Sequence, residues 1–111
     1  MKFDFAALDA PIEAVWPVRA NVPQDGGTVV VQTFNVRFVM ADETELLELG
    51  RSAEGVIDTF RKVIKGVEVD GVFVDDPAFL SKVLSKAYVR IALQTAYREF
   101  CLGLGETVSG N

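Results

Sequence analysis

The sequence predicts an α+β fold, an N-terminal β-hairpin packed on a bundle of three to four α-helices. Three observations carry this. Two runs rich in Val, Phe and Thr flank a glycine turn, apolar residues then recur at helical steps, and Asp76-Pro77 opens a strongly helical final third. A chain of 111 residues fits one domain with one core. Its parts are an arm over residues 1–11, the hairpin over 12–40, a helical part over 42–104 and a loose tail over 105–111.

Phe3, Phe5 and Leu8 give the arm an apolar character without a regular period. The hairpin follows from EAVWPVRANV and TVVVQTFNVRFVM, whose residue types suit a pleated surface. Between them Asp25-Gly26-Gly27 supplies the positive φ angles of a tight turn. Phe34, Val36 and Phe38 alternate with Asn35, Arg37 and Val39, so one face of the second strand is apolar. Pro17 lacks a ladder donor, which marks the first strand as an edge or interrupts it.

Asp42, with Glu45 three residues on, fits a capping box for a short helix that Gly50 ends. Ser52 offers a second cap. Val56, Ile57, Phe60, Val63 and Ile64 then recur at three-, four- and seven-residue steps, an amphipathic helix that Gly66 stops. Arg61, Lys62 and Lys65 complement its C-terminal dipole. In the final third Asp76 caps, Pro77 takes the first helical position, and Phe79, Leu80, Val83, Leu84 and Ala87 form an apolar side. From Tyr88 to Leu104 apolar residues leave a single stripe. Val89, Leu93, Ala96, Tyr97 and Phe100 share one side, whereas Tyr88, Ile91, Ala92 and Leu102 fall largely outside it. A small chain has difficulty burying such a helix unaided. Tyr88, Leu93, Tyr97 and Phe100 are therefore the candidate partner-binding residues, since aromatic side chains carry much of the energy at interfaces.

Composition narrows the function. Eleven basic against sixteen acidic residues give a net charge of −5, unsuited to neutralising phosphates or to anionic membranes, so neither nucleic acid nor membrane is an expected partner. The lone Cys101 permits no internal disulfide and is compatible with a reducing compartment. Asp4, Asp9 and Glu13 interrupt the apolar run that a signal peptide needs, and no stretch reaches the length of a membrane span.

The acidic stretch KGVEVDGVFVDDPAFL is the one region that resembles a metal site. Glu68, Asp70, Asp75 and Asp76 are hard oxygen ligands, but Val72, Phe73 and Val74 occupy positions where a calcium loop requires ligands. A connector explains more: an extended crossing over residues 67–74, a turn at Asp70-Gly71 and a helix start at Asp76-Pro77. The chain has no histidine, which removes the usual proton shuttle and every Ser-His or Cys-His pair. We expect no catalytic residues, no metal and no cofactor. The competing view is a small acidic enzyme or metal protein centred on residues 68–76.

The succession of a glycine-turn hairpin ending FNVRFVMADETELLEL, a helix ending RKVIKGVEVDG, and DDPAFLSKVLSKAYVRIALQTAYREF resembles the small tail assembly chaperones of long-tailed bacteriophages. The resemblance covers roughly residues 20 to 102. It implies a non-enzymatic protein of the host bacterial cytoplasm that keeps the tape-measure protein soluble during tail assembly and is not expected in the mature virion. The tail tube protein is a further candidate partner, and a homo-oligomer is left open. The alternative is a structural virion component, such as a head–tail connector or another small tail protein.

Overall fold

Residues 2–40 and 53–107 are described by a computed structural model of the chain. They form a mixed α+β fold built on a four-stranded antiparallel meander in the order β1-β2-β3-β4. The strands are β1 (Glu13–Pro23), β2 (Val29–Val39), β3 (Ile64–Val69) and β4 (Val72–Val74). The helices are α1 (Ala53–Val63), α2 (Pro77–Val83) and α3 (Ala87–Leu102). The capping box at Asp42 and Glu45, the stop at Gly50 and the cap at Ser52 lie outside the described residues.

The hairpin forms as its turn chemistry requires. Gly26 and Gly27 sit at φ 79° and 78°, and the Gln24 amide donates to the Thr28 carbonyl at 2.9 Å to close the loop. From there β1 and β2 pair without a break from Pro23↔Val29 to Glu13↔Val39. The period of two sends Val18 and Ala20 of β1, with Val36 and Phe38 of β2, into the core.

The extended crossing expected over residues 67–74 completes the sheet as two strands, and the first of them begins earlier, within the predicted helix. Helix α1 buries Val56, Phe60 and Val63 as its spacing predicts, yet it ends at Val63 rather than at Gly66. Ile64 begins β3 directly. Ile64 and Val67 are three residues apart, so a regular strand would send them to opposite faces. A register shift between Arg37 and Phe38 admits one extra residue on β3, and both side chains then enter the core. Gly66 is therefore a strand residue. A Cβ at this position would lie 2.8 Å from the Phe73 Cβ, so the missing side chain is what lets Phe73 lie across β3 and meet the Arg37 guanidinium, 4.7 Å from the ring centroid.

The residues between β3 and α2 act as a turn and a cap. Asp70 and Gly71 both take positive φ, 50° and 82°, as a two-residue hairpin turn demands. Asp76 accepts from the Phe79 amide at 3.1 Å, with Pro77 opening α2. After Val83 the chain breaks: the Ser85 hydroxyl donates to the Lys82 carbonyl, Lys86 is extended, and Arg90 donates to the Leu84 carbonyl at 2.7 Å. Helix α3 ends in a Schellman motif, with Gly103 at φ 69° and the Leu104 amide donating to the Glu99 carbonyl at 2.8 Å.

All three helices contribute to one core, which the sheet organises; α3 packs mainly on β1, and Arg61 of α1 donates to the Ser81 hydroxyl of α2 at 2.7 Å. No buried side-chain nitrogen or oxygen among the described residues lacks a hydrogen-bond partner.

Gly66→Ala is expected to cost about 1–3 kcal/mol in urea denaturation, because the new methyl must displace Phe73. In a Phe73→Gly background, which removes the crowding Cβ, the same change should cost much less. Equal costs in both backgrounds would show that the crowding lies elsewhere.

Candidate functional site

Helix α3 meets the hairpin through four aromatic rings. Phe38 stands edge-on to Tyr97, centroids 5.3 Å apart, and stacks with Phe100 at 5.9 Å; Phe100 in turn lies 5.6 Å from Trp16. Leu93 and Tyr97 have no solvent exposure and Phe100 has 5%. This corrects the sequence expectation for those three residues. The β1–β2 face covers their stripe, so their apolar surface is spent inside the molecule rather than held out to a partner. Tyr88 is half-buried, Ala92 joins the core, and the exposed large apolar residues of α3 are Ile91 and Leu102.

Cys101 is half-buried at the edge of this core, where burial pushes its thiol pKa up against a smaller opposing effect from its hydrogen bond with Tyr97. A thiol so shifted carries little thiolate at neutral pH, consistent with a packing role.

An accessible concavity lies beside the aromatic cluster. A cleft of about 480 Å³ runs along the free edge of β1, lined by Val15, Trp16, Pro17 and Arg19 on one side and by Ala92, Thr95, Ala96 and Glu99 of α3 on the other. Leu104, Gly105 and Glu106 close one end. Small side chains on α3 leave the room, and Gly105 lets the C-terminal segment rest against the indole; a Cβ there would stand 2.6 Å from Trp16. Gly105 thus rests on the indole while Leu104 and Glu106 stay exposed, and Val108–Asn111 lie outside the described residues.

The edge itself is shielded against strand addition. The Met40 amide donates to the Ile12 carbonyl at 2.8 Å, and Gln24 bonds Thr28 at the far end. Both contacts place even-numbered β1 residues in hydrogen-bonded register with β2 and turn the odd-numbered backbone outward. Pro17 and Pro23 are both odd, so each removes a donor from the free edge and none from the ladder. Pro17 breaks the row of outward donors between Val15 and Arg19, which favours an occupant held by its side chains. Trp16, Val15 and Pro17 supply apolar cover, while Arg19 and the carboxylates of Glu99 and Glu106 stand around the rim. A cleft of this volume falls in the range of about 300–1,000 Å³ typical of binding pockets.

The sequence offered a partial signal for this site. Ala92, Thr95, Ala96 and Glu99 fall at three- and four-residue steps on a helix otherwise lined by large side chains, but their position beside Pro17 follows only from the fold. Among the described residues, no group of three or more His, Cys, Asp or Glu side chains is arranged to hold a metal ion, and no helix is long and apolar enough to cross a membrane. No protein-family model, no curated protein and no solved structure matches this chain.

Tyr97→Asp is expected to abolish the cooperative thermal transition followed by circular dichroism, because it buries a charge without a partner. Thr95→Trp, at an exposed position in the cleft, should keep a transition within a few degrees of the parent. A well-folded Tyr97→Asp protein would return that side chain to the surface and overturn the packing described.

Proposed function

We propose that this chain is a non-enzymatic binding protein that shields an apolar helical segment of another polypeptide, and that it serves as a tail assembly chaperone for the tape-measure protein of a long-tailed phage in the host cytoplasm. The observation that carries the reading is the cleft between β1 and α3: an apolar floor around Trp16, open to solvent, on an edge where prolines disfavour strand pairing. A client helix can set its large apolar side chains into such a groove at three- and four-residue spacing. The net charge of −5 keeps a loaded complex soluble and discourages association between loaded copies. The resemblance of residues 20 to 102 to the phage chaperones supplies the identity of the client.

A second reading, a structural component of the virion, draws on the far end of the hairpin. Val29, Val30 and Val31 are all exposed there, and β3 pairs only with residues 36–38 of β2. A subunit of a ring or tube could cover such a ribbon with its neighbour. Mass spectrometry of finished particles separates the two, since a structural component stays in them and a chaperone does not.

The direct test is co-expression with a tape-measure fragment. The parent chain should raise the soluble fraction of the fragment, and Thr95→Trp should lower that fraction severalfold while remaining folded. An unchanged soluble fraction with the filled cleft would move the client elsewhere.

A further inference from the structure

The cleft has a candidate occupant in the chain's own N-terminal arm. Phe3, Phe5 and Leu8 are 65%, 75% and 66% exposed, and the 3-10 turn Phe5–Asp9 buries none of its residues. Phe3 and Phe5 rest on each other, centroids 4.9 Å apart, and form a small aromatic wedge. The arm is not shapeless: the Asp4 carboxylate accepts from the Ala6 amide at 3.1 Å and starts the turn. Three large apolar side chains presented on an ordered arm and left in water are a surface awaiting cover.

We infer that the arm of one copy, Phe3 to Leu8, docks into the β1–α3 cleft of a second copy. Shape and charge both favour this occupant. The free edge of β1 disfavours an added strand, and the arm is a turn that offers side chains. The cleft rim carries Arg19 from β1 and Glu99 and Glu106 from α3 and the segment beyond it. The arm carries Lys2 and Asp4 on either side of Phe3, so one orientation pairs opposite charges at both walls. The arm's own cleft is the less accessible one. None of the cleft's lining residues belongs to the arm, and Phe3, Phe5 and Leu8 stay exposed rather than turning back into it. Docking between copies is either reciprocal about a two-fold axis or head to tail, and both arrangements use the same contact. In the free protein the arm covers the groove that the proposed client would take. The inference rests on the cleft and the arm alone, independently of what the client is.

The test is made on purified protein without any client, by sedimentation equilibrium. The parent should associate in a concentration-dependent way. Phe3→Asp/Phe5→Asp, which alters no buried residue, and Thr95→Trp, which fills the cleft, should each weaken association by more than about tenfold. The deciding measurement is their equimolar mixture. One variant keeps an intact cleft and the other an intact arm, so the mixture should form a one-to-one heterodimer that neither makes alone. A parent that stays monomeric up to its solubility limit overturns the inference, including the case in which deleting the arm changes Trp16 fluorescence and so places the arm in its own cleft. A mixture that remains monomeric overturns it as well. Either failure leaves the client reading to be judged by its own co-expression result.

Discussion

The docking of α3 onto the hairpin is the interaction on which the other features depend. A two-stranded ribbon is marginal by itself in water, and a helix of sixteen residues gains most of its stability from packing. Phe38, Tyr97, Phe100 and Trp16 join the two, and the first three are buried while Trp16 is half-buried. Because rings prefer edge-on and offset contacts, the cluster fixes the rotation of α3 as well as its distance from the sheet. That rotation decides which residues of the helix remain outside. It buries Leu93 and Tyr97 and leaves Thr95 and Glu99 beside the free edge of β1.

The cleft is a consequence of that rotation. Small residues face β1 where α3 passes its edge, so the helix covers the aromatic cluster without sealing the strand beside it. Prolines at two outward positions of β1 protect the same edge from a wandering strand. The edge is thus available to side chains and poorly available to backbones. Nothing comparable protects the far part of β2, where Val29 to Thr33 have neither a proline nor a charge.

Much of the fold was legible in the sequence because local chemistry and tertiary packing agree there. The glycine turn, the alternation of Phe34, Val36 and Phe38, the edge position signalled by Pro17, and the Asp76-Pro77 helix start all have local causes. The four-stranded sheet was less legible, because β3 follows α1 without a break. Ile64 continues the helical spacing of Val56, Phe60 and Val63, and only its pairing with Phe38 across a bulge makes it a strand residue. Gly66 gave the wrong signal for a related reason: a glycine after a helical run usually caps it, whereas this one makes room for Phe73. The candidate site was misread at Leu93, Tyr97 and Phe100 because a surplus of apolar residues on a helix does not say which of them the sheet will cover.

Native-state hydrogen exchange tests the central claim most directly. If α3 and the hairpin are one cooperative unit, the amides of residues 92–100 and of residues 34–38 should exchange through the same opening, with free energies near that of global unfolding and equal sensitivity to denaturant. Exchange of α3 by a separate, low-energy opening while β2 stays protected would contradict it, and would mean that the helix face is free to meet another polypeptide after all.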